Sequence, residues 1–356
     1  MKKNVIFAAI LSALMFASCG GADKNGWYSD FDAAKKAAQS KNKGILLFVN
    51  SDNDVSDSSK GVQAVLSKNF TDAVKDRYIC IHFDFTNLRE VMGDAYAEIS
   101  SKEQKAVEKR RAVLQKQFFV ADTYGIQETP VLNVLTKEGY FVSEVTCEYN
   151  SDSSEGYAGN VALIDSELAA FNAKVAATKK GSASDKIAAI DEIFEETAEV
   201  HRIALFDLMK KAVALDSKNK SGKIGKYLFQ MANIEGYKRV LNHDMAGAVK
   251  VYEKYASNKY IDPVDAQSLY FYCSRFTSRI QGAKGQDILK YLEKAIAAAP
   301  ESEYVGQLQE YADYYKNTVI PAEKATSEAA SAADEQPAGA DRETVSADED
   351  IEIAAE

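Results

Sequence analysis

Cysteine, histidine, proline and tryptophan are scarce in these 356 residues, at four, three, five and one. Cys19, Cys80, Cys147 and Cys273 are too few and too widely spread for a disulfide framework. His82, His201 and His243 stand in unrelated contexts, and no His-x-Cys pairing offers zinc-ligand spacing. No Gly-x-Ser-x-Gly and no phosphate-cradling glycine loop occurs, and no cofactor is implied. The apolar run Val5–Phe16 is too short to span a bilayer. Excess positive charge is also missing. The net charge is −10, and Ala322–Glu356 holds eleven acidic residues against Lys324 and Arg342, a local −9, so the remainder is nearly neutral. Nothing in that balance points to nucleic acid.

What is present is organised around residues 45–60, ILLFVNSDNDVSDSSK. Five uninterrupted apolar residues, Ile45 to Val49, fit a short strand buried on both faces. The Asp, Asn and Ser residues that follow are loop and helix N-cap chemistry. A strand, polar loop and helix start in succession form the kind of corner at which α/β sheets place ligands. Here the corner carries carboxylates and hydroxyls and no thiol.

The chain begins MKKNVIFAAILSALMFASCGG. Lys2 and Lys3, the apolar core and the small residues before Cys19 resemble a bacterial lipoprotein signal peptide, with Phe16-Ala17-Ser18-Cys19 as its lipobox. That resemblance implies removal of residues 1–18, diacylation of Cys19, a tether over 19–26, and a cell-envelope protein facing the periplasm or exterior. Two acyl chains anchor stably, at about 0.8 kcal/mol per buried methylene.

Residues 27–149 then run in a recognisable order. Trp27-Tyr28 leads into an Ala/Lys helix from Phe31, followed by the buried strand. Helices begin at Gly61 and Phe70, and a second rich strand covers Tyr78–Phe85. A charged helix spans Asp94–Gln117, with Lys105, Glu108, Lys109, Arg110 and Arg111 as a solvated face. Tyr124-Gly125-Ile126-x-x-Thr129-Pro130 precedes a hairpin of Leu132–Leu135 and Tyr140–Val142. This stretch resembles the thioredoxin family, with Thr129–Pro130 matching its cis-proline turn. The resemblance implies a mixed sheet with helices on both faces and an edge at Thr129 and Pro130 that binds extended polypeptide. It also marks a departure. The family's Cys-x-x-Cys positions fall near Asp54-Val55-Ser56-Asp57, and neither Asp54 nor Asp57 can exchange a disulfide, which requires a thiolate. Cys80, Cys147 and Cys273 read as buried and inert, and His82 as a packed residue.

Residues 150–184 read as a linker with a loop over Asn150–Gly159 and a connecting helix over Ile164–Ala177. Residues 185–320 are helical almost throughout, with helices expected at Ile187–Glu196, Ile203–Leu215, Ile224–Ile234, Met245–Ser257, Pro263–Ile280, Ile288–Ala299 and Tyr304–Tyr315. Segments ending at Asp216 and at Pro300 resemble the second helix of a tetratricopeptide repeat, which implies degenerate helical hairpins. Their many tyrosines fill cores and rims or line a partner groove. Residues 321–356, rich in Ala, Ser, Glu and Asp, bury too little apolar surface to offset ordering entropy and are expected to be a disordered acidic tail.

The expected architecture is therefore an α/β thioredoxin-like domain, an all-α helical-hairpin domain and the tail. The leading functional expectation is a membrane-anchored lipoprotein whose redox-inactive domain binds an unidentified protein or peptide partner. The alternatives are a thiol–disulfide oxidoreductase or isomerase using Cys80 or Cys147, and a purely structural envelope component. Asp52, Asp54 and Asp57 alternate oxygen ligands as calcium prefers, yet Gly61 falls too late and the distal Glu of an EF-hand is missing. Titration to millimolar calcium is accordingly expected to leave the melting temperature unchanged; a rise with concentration would assign a cation to this loop.

Overall fold

The computed structural model describes residues 21–51, 58–86, 101–145 and 153–334. Cys19, Cys147, the loop aspartates Asp52, Asp54 and Asp57, and residues 335–356 lie outside them. The architecture is mixed α/β near the N-terminus and helical thereafter. Contacts divide the chain into two compact units, Met1–Ile234 and Glu235–Glu356.

In the first unit, β1 (Trp27–Tyr28), β2 (Gly44–Ser51), β3 (Tyr78–Phe85), β4 (Val131–Leu135) and β5 (Phe141–Glu144) form one sheet in the order β1-β3-β2-β4-β5. β1, β3 and β2 are mutually parallel, while β4 runs antiparallel to both β2 and β5. Ile45 to Val49 are all buried, as expected for a central strand with both faces covered. Side-chain alternation sorts them into two cores. Ile45, Leu47 and Val49 join Ile79, Ile81 and Phe83 beneath α1 (Phe31–Lys41) and α4 (Ser101–Thr123). Leu46, Phe48, Tyr78 and Cys80 face α2 (Ser58–Leu66), α3 (Lys68–Val74), α5 (Ser154–Leu163) and α6 (Asp165–Ala177).

Two helix starts in this unit are fixed by local caps. Asp30 caps α1 by accepting from Ala33 N, and Ser67 caps α3 by accepting from Phe70 N. Gly44 opens β2 because a Cβ there would lie 2.8 Å from the Tyr78 ring and 2.9 Å from Leu168. Asp165 fastens α6 to the start of β3: it pairs with Arg77 and accepts the Tyr78 hydroxyl at 2.6 Å.

In the first unit three sequence expectations are corrected. Residues 154–163, read as largely loop, form α5, capped by Ser153 on Gly156 N. Gly156 and Gly159 disguise the helix in sequence, and burial of Tyr157 and Val161 in the second core stabilises it. The compact units divide after Ile234, later than 150–184, because helices beyond residue 153 pack onto the sheet. Besides α6, a 3-10 segment Glu199–Leu205 places His201 against Phe141, with ring centroids 3.6 Å apart. Between these lies α7 (Ala183–Glu196), and α8 (Phe206–Leu215) follows. Finally, Arg110 belongs to the packing rather than to a solvated face: it donates to the Asp84 carbonyl at 2.7 Å.

α9 (Ile224–Leu241) begins beside α7, where Asp191 accepts the Tyr227 hydroxyl at 2.7 Å and pairs with Lys223 and Lys226. Burial raises the Asp191 pKa, and those three donors outweigh it, so the carboxyl stays below its usual range.

In the second unit α10 (Met245–Ala256), α11 (Pro263–Thr277), α12 (Gly285–Ala298) and α13 (Val305–Tyr314) each pack against the next. Buried Gln267 donates to the carbonyls of Ala295 and Ala299, satisfying groups that the end of α12 leaves open. A π turn, Tyr315–Val319, leads into α14 (Ile320–Asp334). Here the expected disorder is corrected for residues 321–334, which are helical. Ile320 packs on the Leu289/Leu292/Leu308 core, and the Glu323 carboxylate accepts Gly285 N at the start of α12, where a negative charge is favourable.

Leu47→Ala removes a wholly buried side chain from the central strand. It is expected to destabilise the protein by about 2–5 kcal/mol, read as a lower urea midpoint at unchanged slope. A loss below about 1 kcal/mol would contradict the two-faced core.

Candidate functional site

β2 and β3 are parallel and in register, pairing Ser51 with Phe85 at their C-terminal ends. The segment entering β4 crosses the same end, since Val131 pairs with Val49. Thr129 is thereby set against Ser51, with their hydroxyls hydrogen-bonded at 2.6 Å. The Thr129–Pro130 bond is cis, as expected from sequence, and Pro130 is exposed.

Beside this edge lies a cleft of about 440 Å³. Its walls are Phe85 from β3, Phe118, Ala121 and Asp122 from α4, and Ile126 to Thr129 from the following turn. Phe85 is buried and Phe118 is 49% exposed, with ring centroids 6.2 Å apart. Among the described residues the lining includes no histidine, cysteine or lysine. It can receive an apolar side chain and hydrogen-bond a neighbouring backbone.

The opposite face of the same strand ends carries a polar network. Asn50 Nδ2 donates to Asp84 Oδ1 at 3.3 Å, which turns Asn50 Oδ1 toward His82 Nε2 at 2.5 Å. With Asn50 so oriented, Nε2 is the donor in this bond. The ring stacks on Phe48 and meets Trp27 edge-on. Burial lowers the His82 pKa; Asp84 and Asp23 oppose the shift, and Arg110 adds to it. The expectation of a packed histidine holds, with a defined partner.

Cys80 lies on this face, 3% exposed, and burial pushes its thiol up to about 12. Only about one molecule in 10⁵ would hold a thiolate at pH 7. Cys273, in the second unit, is also buried, donates to the Val249 carbonyl and is likewise pushed up to about 12 by burial. Both match the inert reading from sequence. Among the described residues no group of three His, Cys, Asp or Glu side chains could hold a metal, and no helix is long and apolar enough to cross a membrane.

Of the sequence-derived site residues, Thr129 and Pro130 stand at the cleft; Asp54 and Asp57 lie outside the described residues. Sequence reasoning missed Phe85, Phe118, Asp122 and Glu128. The available signal was the spacing Leu114, Phe118, Ala121, an apolar stripe inside a charged helix. In the second unit Tyr252, Tyr255 and Tyr291 are core residues, whereas Tyr304, Tyr311 and Tyr314 are exposed.

Comparison with known proteins bears on the helices. A family described as an uncharacterised protein C-terminal domain matches residues 223–319, which cover α9 to α13. An uncharacterized protein of Treponema pallidum (strain Nichols) is 27% identical over 129 residues, 36% of this chain. The chain covers 42% of the length of that relative. No solved structure matches.

The lowered His82 pKa fixes a pH dependence. The unfolded chain takes up a proton near pH 6.5 while the folded protein resists it, so stability is full above that pH and falls as pH drops toward the lower folded value. The slope is at most about 1.4 kcal/mol per pH unit for each such histidine, and His201, also lowered by burial, adds in the same window. Chemical denaturation of His82→Gln between pH 7 and 5 is expected to give a shallower slope than wild type. Equal slopes would mean that His82 titrates alike folded and unfolded.

Proposed function

We propose that this chain is a lipid-anchored envelope protein whose N-terminal domain is thioredoxin-like, redox-inactive and devoted to binding extended polypeptide at the Thr129–Pro130 edge. The observation that carries the reading is the sheet order β1-β3-β2-β4-β5 with helices on both faces, the wiring of thioredoxin-like domains. The edge lies beside the C-terminal ends of its central strands. In that family this edge receives substrate backbone, and here a cleft lies next to it. Redox silence is supported by Asp54 and Asp57 at the expected cysteine positions and by the buried, protonated Cys80. Anchoring rests on the lipobox-like run ending at Cys19. The helices beyond residue 185 serve as a tetratricopeptide-like second surface, supported by their serial packing and exposed tyrosines.

Two assays on the purified chain test the reading. Insulin reduction should stay at background, and a fluorescein-labelled, carboxymethylated unfolded polypeptide should bind saturably. Thr129→Arg, which places a bulky cation on the edge, should weaken that binding at least tenfold. Turnover of insulin that disappears in Cys80→Ser or Cys147→Ser would replace this proposal with the oxidoreductase alternative. Absence of saturable binding would favour a purely structural role.

A further inference from the structure

The apolar stripe of α4 carries an anomaly. Leu114 and Ala121 are buried against the sheet, and Phe118, between them on the same stripe, is 49% exposed. Its ring meets Phe85 at the end of β3, and together they form the apolar wall of the cleft. A large aromatic on a packing stripe, left half open beside a second aromatic, is a surface suited to another side chain. The volume of about 440 Å³ falls within the ~300–1,000 Å³ typical of ligand pockets.

The charge of the lining is one-sided. Among the described residues of the lining the charged ones are Asp122 at the end of α4 and Glu128 in the turn before Thr129, both acidic. Glu128 is exposed at the rim. A carboxylate there attracts a cation and repels an anion, most strongly where the neighbouring wall is apolar. A strand-like peptide passing Thr129 sends alternate side chains to one face, so residues two apart reach the same cleft.

We infer that the cleft selects an extended peptide segment of a partner protein presenting an aromatic side chain two residues from a lysine or arginine. The aromatic ring packs on the wall that Phe85 and Phe118 form, and the cation meets Glu128 at the rim. This rests on the proposed polypeptide-binding role of the Thr129–Pro130 edge and adds the sequence class that the edge accepts.

The test uses the full chain and fluorescein-labelled twelve-residue peptides on a common Gly/Ser/Thr background. One carries Phe-Ser-Lys, one Phe-Ser-Glu, one Ala-Ser-Lys and one Ala-Ser-Ala, and binding is read by fluorescence anisotropy. The Phe-Ser-Lys peptide is expected to bind at least tenfold more tightly than the other three, with the preference over Phe-Ser-Glu shrinking in 0.5 M salt. Glu128→Lys, at an exposed position, should reverse the Lys/Glu preference. Phe118→Ala should reduce the Phe/Ala preference to under threefold; its circular dichroism melt is compared with wild type, and the Glu128→Lys arm stands independently if that variant fails to fold. Equal binding of all four peptides, or a preference untouched by Glu128→Lys, overturns this inference and leaves the general polypeptide-binding role standing. If none of the four peptides binds while the carboxymethylated polypeptide does, the inference falls alone; if neither binds, both fall.

Discussion

The burial of β2 on every side is the constraint on which the rest of the first unit depends. Its two edges are occupied by β3 and β4, and its two faces by helices of opposite layers. A strand so enclosed has its backbone groups paired in the ladders and its side chains excluded from water. Alternation along five residues decides which helix meets which face. Because every other element is placed relative to β2, the point where it ends, at Ser51, is also where the chain can offer groups to solvent without disturbing the core.

That geometry separates two kinds of chemistry at one end of the sheet. On one face Asn50, His82 and Asp84 close a network among themselves, as buried polar groups must. On the other, Phe85 and Phe118 leave apolar surface uncovered beside an acidic rim. The first arrangement is internally satisfied and belongs to the fold. The second leaves apolar surface open to solvent, and it is there that the proposed peptide site is placed.

Much of this was legible from sequence where local and global preferences agree. Ile45–Val49 reads as buried because nothing in it is polar, and Tyr78–Phe85 because it is rich in β-formers. The edge at Thr129 and Pro130 was legible for the same reason: turn residues and hairpin follow in order. Legibility failed where tertiary contact overrides composition. Ser154–Leu163 holds two glycines, and its helix is stabilised by Tyr157 and Val161, whose burial partners lie far away in sequence. Residues 321–334 have a solvent-like composition, and their helix is secured at its first turn by Ile320 and Glu323. Phe118 was hidden by the charges around it, since a stripe of three apolar residues in a charged helix has little periodic signal.

Cys80 gives the molecule an internal clock. Its sulfur is sealed in β3 between Trp27 on one neighbouring strand and Leu46 on the other. A thiol reagent can reach it only when the sheet parts, so the pace of alkylation in native buffer measures how often, and at what free energy, that opening occurs. An unmodified chain thus carries its own probe of breathing in the sheet that supports the edge.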